Sequence, residues 1–307
     1  MSRPVVIIAG PTASGKSALA LEIARSLDGC VINADSMQIY RDLAILTARP
    51  DADALAQAPH RLYGVLDGAE LCSAARWADM AMAAISEAQG QGLMPILVGG
   101  TGLYLRVLVE GIAPVPEIPD EVRMATRALH AELGGAEFHT RLASLDPVMA
   151  ARLRPSDAQR LMRAHEVIAA TGRSLAAWQE EGRRQRRIDP IAFTLLPPRD
   201  QLYAACDGRF VRMIESGALD EIASLAAKML SPDRPIMKAL GVPELLCHQA
   251  GSLGLAEAIT QGQQATRNYA KRQATWFRHQ MPYANPIFTQ YNYNIAPLIC
   301  QKIVSPA

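Results

Sequence analysis

The sequence predicts an α/β protein: a parallel sheet covered by helices on both faces and interrupted by a helical insertion. Three observations carry that reading. Short apolar runs alternate with stretches of helical period over residues 4–105, the pattern of strands joined by crossover helices. A proline-rich break, APVPEIPD (Ala113–Asp120), ends the alternation. From there to about Arg187 the period is helical, with no convincing strand.

Each element follows from its own residues. PVVIIAG (Pro4–Gly10) is a short, wholly apolar run, as in a strand buried on both faces. SALALEIARSL (Ser17–Leu27) then has helical period, and CVINAD (Cys30–Asp35) reads as a second strand. SAARWADMAMAAISEAQ (Ser73–Gln89) is a helix rich in Ala and Met, and MPILVGG (Met94–Gly100) a third strand. Past the break, RMATRALHAEL, FHTRLASL and DAQRLMRAHEVIAATG are short amphipathic helices. IAFTLLPP (Ile191–Pro198) returns to strand character, and the chain is then helical up to Pro282. Residues 283–307 show no clear period and are expected to form a loosely held tail. The expected organisation is a core of residues 1–115 and 188–282, an insertion of residues 116–187, and that tail.

Bulk properties narrow the function classes. A chain of 307 residues suits one large domain, or one domain with an insertion. With 31 basic and 30 acidic residues the net charge is +1, so any nucleic-acid binding must come from local basic patches. Five scattered cysteines without a C-x-x-C pair suggest neither a zinc site nor a disulfide framework. Reduced thiols in a cytoplasmic protein are the simplest reading. No apolar run approaches the roughly 18 residues of a membrane span, and no signal peptide is visible.

The chemistry begins at GPTASGKS: Gly10, Pro11, Thr12, Ala13, Ser14, Gly15, Lys16 and Ser17. The pattern G-x-x-x-x-G-K-[ST] between a strand and a helix is a P-loop, so the expected core is P-loop NTPase-like. Glycines let several N–H groups point inward, and the helix dipole adds to the pull on an anion. Lys16 places a cation against the phosphates, and the Ser17 hydroxyl can ligate Mg2+. An NTPase normally has a second strand ending in an acidic residue. Here Asp35 follows VIN, but the other good core strand ends in VGGTG without a carboxylate. Asp35 and Thr101 both stand just past the carboxyl end of a strand, where parallel sheets bind ligands. Each has a plainer alternative. Asp35 with Gln38 resembles a helix capping box, and Gly99–Gly102 resembles a tight turn needing positive φ.

GPTASGKS, NADSMQIYRDL, LVGGTGLYL, DAQRLMRAHEV and ATRNYAKRQATWFR, in that order from Ile7 to about Phe277, resemble the tRNA dimethylallyltransferases, also called tRNA isopentenyltransferases. The resemblance implies transfer of a dimethylallyl group from dimethylallyl diphosphate, releasing pyrophosphate. The acceptor it implies is N6 of the adenosine 3′ of the anticodon, in tRNAs reading codons that start with U. The P-loop then holds an isoprenoid diphosphate rather than the tail of a nucleotide. Asp35 becomes the base that takes the amine proton. Thr101 donates near the bridging oxygen, and Arg209 in GRFVRMIESGAL clamps the diphosphate. Lys16 and Mg2+ on Ser17 neutralise the leaving group. The family's tRNA contacts map to Asp35, Ser36, Met37, Gln38, Thr101, Arg123, Gln159, Arg160, Leu161, Met162 and Arg163. The acceptor base should be swung out of its stack in the anticodon loop. The resemblance also implies a monomer.

Two basic stretches stay open on spacing alone. Arg267, Lys271 and Arg278 fall on one helical face, opposite Tyr269 and Trp276, which suits a phosphate backbone or an ordinary surface helix. Arg183–Arg187 (RRQRR) suits RNA or a solvated loop, and Arg160 with Arg163 a solvated helix face. The chain departs from the family at AILTARP (Ala44–Pro50), at HRL (His60–Leu62), at Ala205 and at Val242. A kinase, an adenylate isopentenyltransferase and an RNA-binding protein with a relic loop are the competing readings. The kinase lacks its Mg2+ carboxylate set, the free-nucleotide enzyme would need no insertion, and intact Lys16 and Ser17 argue against a relic.

Overall fold

The computed structural model describes residues 3–182 and 188–305. Arg183–Arg187 therefore lies outside the described residues. The chain divides into two compact units, Met1–Val109 with Ile188–Ala307, and Glu110–Arg187.

The first unit is built on a parallel sheet. Its strands are β1 (Val6–Ala9), β2 (Gly29–Asn33), β3 (His60–Arg61), β4 (Met94–Gly99), β5 (Ile191–Leu195) and β6 (Asn285–Ile287). Their order is β3-β2-β4-β1-β5-β6, and every pairing is parallel. Helix α1 (Lys16–Ser26) links β1 to β2; α2 (Ala52–Gln57) precedes β3; α3 (Ala74–Gly90) and α4 (Gly102–Glu110) flank β4. β1 lies between β4 and β5, so its four residues are wholly buried, which is why they are Val, Ile, Ile and Ala. Val6 and Ile8 share one core with Leu19, Ile23, Val98 and Phe193. The register pairs Ala9 with Gly99 and Thr194, and Asn33 with Val98. Three strands thus end level, and their loops leave from one edge.

The Glu110–Arg187 unit is helical: α5 (Asp120–Leu145), α6 (Pro147–Ala150), α7 (Ala158–Thr171) and α8 (Leu175–Gly182). Gly134 at φ 71° breaks α5 into the two helices whose separate periods the sequence shows. Phe138, Leu142, Leu161, Ala164 and Val167 form its core. After β5 the first unit continues with α9 (Arg199–Glu215), α10 (Ala218–Ala227), α11 (Val242–Gln249) and α12 (Leu255–Gln280).

The expected loose tail is corrected. β6 extends the sheet beside β5, and α13 (Ile295–Val304) packs on the sheet core. Ala296, Ile299 and Ile303 are its buried residues, at i, i+3 and i+7. That spacing is helical, but Pro297 masks it; proline is tolerated there because first-turn N–H groups lack intrahelical partners. Among the described residues no helix is long and apolar enough to cross a membrane.

Ile299 is 3% exposed while its neighbour Leu298 is 63% exposed. Ile299→Ala should cost about 2–5 kcal/mol of unfolding free energy. Leu298→Ala should change it by less than about 0.5 kcal/mol. Denaturant titration of both variants measures the difference.

Candidate active site

The phosphate loop leaves β1 through three unusual backbone positions: Gly10 at φ 152°, Ala13 at φ 62° and Gly15 at φ 87°. Only glycine suits Gly10, where a Cβ would lie 2.6 Å from the Leu195 carbonyl oxygen. Ser14 is fully buried, and its hydroxyl has no partner. Lys16 and Ser17 open α1, whose first N–H groups face the loop with the positive end of the helix dipole. Lys16 Nζ donates to Pro11 O at 3.3 Å. Burial lowers the Lys16 pKa to about 8, opposed chiefly by the nearby Asp35 charge. A cavity of about 320 Å³ lies against this loop, lined by Lys16, Ser17, Arg209, Arg212 and Gln290, among others. Three cations and a helix N-terminus make it a site for a polyanion.

A second cavity, about 280 Å³, carries Asp35, Ser36, Met37, Thr12, Arg209 and Tyr269 on its wall, with Leu46, Phe210, Met213 and Leu240 supplying apolar surface. Arg209 lines both cavities and donates to Thr12 Oγ1. Burial lowers the Arg209 pKa, partly offset by Cys206 and Asp35. Burial raises the Tyr269 phenol, and the Asp35 charge raises it further. Phosphate loop and Asp35 therefore lie together at the level strand ends, as their spacing predicts, beside the Arg209 to which only the resemblance points.

The plainer alternatives for Asp35 and the GGTG turn do not hold. Asp35 Oδ1 accepts from Met37 N at 2.9 Å in a local turn, not at a helix start. Gln38 instead donates to Thr47 O and Ala48 O, both at 2.8 Å, holding a loop whose Leu46 and Thr47 line the second cavity. Gly99, Gly100 and Gly102 have no positive φ. They are needed for close approach: a Cβ would strike the Ala34 carbonyl, the Gln273 amide and the Trp276 ring respectively. Thr101 is not on the wall of the second cavity; its hydroxyl accepts from Ser36 N at 2.9 Å and donates to Ser36 Oγ at 3.2 Å.

Three residues that organise the site escape the sequence reading. Gln273, 5% exposed, accepts from Thr12 N at 2.8 Å and donates to Gly100 O at 2.8 Å, tying the phosphate loop to the GGTG turn. Its signal is a polar residue on the buried stripe of α12, among Ala258, Gly262, Thr266, Ala270 and Phe277. Asn33 is wholly buried; it accepts from Asp35 N at 2.8 Å and donates to Leu62 O and Asp35 O at 3.0 Å. Glu221 accepts from the N–H groups of Ala44, Ile45 and Leu46, fixing the loop where the chain departs from the pattern it resembles. Only the fold brings Glu221 there.

The predicted RNA-facing residues divide. On α7, Gln159 and Arg160 are exposed, and Arg163 is paired with Glu166 at 3.4 Å. Leu161 is wholly buried and Met162 packs on the same core, so the carry-over of Leu161 as a side-chain contact is corrected. Arg123 pairs with Asp120 at 3.5 Å. On α12, Lys271 and Arg278 are exposed, while Arg267 is held by Asp207 at 2.5 Å. The opposite face is not a simple apolar anchor, because Tyr269 faces the second cavity and Trp276 covers Gly102. Among the described residues no cluster of three His, Cys, Asp or Glu could hold a metal.

The chain matches the family model described as IPP transferase over residues 38–280. A relative from Rhodospirillum centenum called tRNA dimethylallyltransferase is 56% identical, covering 91% of this chain and 90% of its own. One of the same name from Paramagnetospirillum magneticum is 54% identical over 98% of this chain and 96% of its own. The crystal structure of a tRNA isopentenylpyrophosphate transferase from Bacillus halodurans is similar at TM-score 0.71 and 31% identity, covering 98% of this chain and 97% of that one. A eukaryotic dimethylallyltransferase acting on tRNA is similar at TM-score 0.79 and 28% identity, covering 91% of this chain and 71% of that one.

The Lys16 pKa of about 8 gives a pH dependence with a definite sign. Because the folded value is lowered, the cation is complete below it and lost above it. Pyrophosphate affinity should fall as pH rises through about 8, and binding there should take up protons. Calorimetry in buffers of different ionisation enthalpy measures both effects, and Lys16→Met should remove the pH step.

Proposed function

The chain belongs to the IPP transferase family, and from that premise we propose how this site performs the family's reaction. The enzyme transfers a dimethylallyl group to tRNA. The donor in this reading is dimethylallyl diphosphate, and the acceptor is N6 of the adenosine 3′ of the anticodon in tRNAs reading U-starting codons. The observation that carries it is that Arg209 stands on the wall of both cavities. The diphosphate belongs with Lys16, Ser17 and Arg212. The five-carbon tail belongs beside Phe210, Met213 and Leu240, and the reacting carbon where the two spaces share Arg209.

The bond changes then follow from the charges. The adenine amine attacks C1 of the prenyl group, the carbon bonded to the diphosphate oxygen. The C–N bond forms as the C–O bond to the diphosphate breaks, and the electron pair leaves with pyrophosphate. Asp35 takes the amine proton. Lys16, Arg209 and the loop N–H groups stabilise the departing charge in a site that needs little reorganisation. Thr101 turns its hydroxyl from Ser36 to the bridging oxygen, while Asn33 holds the backbone that carries Asp35. One exposed hydroxyl at Ser17 fits Mg2+ carried largely by the diphosphate oxygens and water. When bound it neutralises charge on the leaving group.

The acceptor base needs to leave its stack to reach Asp35. Lys271 and Arg278, exposed on α12, and Arg160, exposed on α7, supply cations for the RNA backbone. A monomer in the cytoplasm, where tRNA is charged and used, completes the reading.

Mixing the protein with labelled dimethylallyl diphosphate, Mg2+ and unmodified tRNA tests it, with nuclease mapping to locate the label. Asp35→Asn should lower kcat for transfer by about 10²–10⁴-fold while the variant still binds pyrophosphate. Undiminished transfer by this variant removes Asp35 from its role as base.

A further inference from the structure

The mechanism so far leaves one wall of the diphosphate cavity unexplained. That wall comes from the far end of the chain. Gln290 lines the cavity, and its amide Nε2 donates to Ala13 O at 2.6 Å. The next residue, Tyr291, donates its backbone N–H to Ser14 O at 3.3 Å. Its side chain lies so close over Gly15 that a Cβ there would strike the Tyr291 Cβ. Two successive phosphate-loop carbonyls are therefore held from outside by two successive residues of one strand-to-helix connection.

A trans peptide is planar, with its C=O and N–H pointing in opposite directions. Fixing Ala13 O outward fixes the Ser14 N–H away from the strap, where it donates to Pro11 O at 3.3 Å. Fixing Ser14 O outward aims the Gly15 N–H away from the strap, into the loop. Ala13 sits at φ 62°, a left-handed conformation that is costly for alanine, so an external bond to its carbonyl helps to hold it. The connection is itself anchored on both sides, by β6 on β5 and by α13 on the sheet core. Gln290 Oε1 is buried without a partner, an acceptor that water on a bound anion would satisfy.

We propose that Gln290 and Tyr291 are a working part of the diphosphate site, with the Gln290 amide and the Tyr291 N–H as positioning groups that set the phosphate loop for pyrophosphate. This rests on the donor site described above. The role is separable from mere packing, because it predicts a change in anion binding with little change in the chemical step.

The test uses the full chain and inorganic pyrophosphate as probe. Gln290→Leu keeps the size of the side chain and removes the donor. It should weaken pyrophosphate binding about tenfold, the effect of one lost charge-aligned hydrogen bond. The KM for dimethylallyl diphosphate should rise in parallel, with kcat and tRNA affinity nearly unchanged. Gln290→Glu adds an anion at the same place and should bind more weakly still, with part of the loss recovered at high salt. Phe288→Ala, an exposed neighbour in the same segment, should bind like the parent. Parent-like pyrophosphate affinity in Gln290→Leu with an unchanged melting temperature overturns the strap assignment and leaves the donor site standing. A parent protein that binds no pyrophosphate overturns both.

Discussion

The site depends on one constraint: β1 and β4 must end at the same level as β2, close enough for one side chain to bridge the loops after β1 and β4. Gln273 is that bridge, bonding Thr12 N on one side and Gly100 O on the other. The three glycines after β4 follow from the same demand, since Ala34, Gln273 and Trp276 each take the space a Cβ would need. A slip of β4 by one residue would move Gly100 away from Gln273 and turn the strand's buried side chains to the opposite face. The apolar interior of the sheet thus fixes the separation of the phosphate loop from Asp35, though neither belongs to that interior.

Electrostatics act on this frame in a consistent direction. Lys16 and Arg209 are half-buried cations, and loss of solvent lowers the pKa of each. Asp35 offsets part of that penalty for both, so the carboxylate supports the cations. A bound polyanion relieves the same penalty more fully. The site therefore favours a ligand that arrives with negative charge.

Much of this was legible in the sequence. The wholly apolar runs gave the central strands, and GPTASGKS gave the loop, because buried parallel strands and phosphate cradles impose strong local demands on residue type. Asp35 reaches a cavity wall from its place beside a strand end, and Arg209 does so from α9, which only the resemblance singles out. Gln273, Asn33 and Glu221 were not legible, because their value lies in partners 173, 29 and 177 residues away. Leu161 was misread for the opposite reason: it lies in a motif associated with RNA, yet its own helical spacing places it in the core. The tail was missed because Pro297 interrupts a pattern only ten residues long.

The joining of Gln290 to Ala13 also sets a timetable for the chain as it is made. The phosphate loop leaves the ribosome 277 residues before its partner. At about 5–20 residues per second that is a delay of roughly 14–55 s. Over that interval the nascent loop has its glycines and its lysine but lacks the restraint that orients its peptides. The loop reaches its finished shape only once the last strand and helix have been added to the sheet.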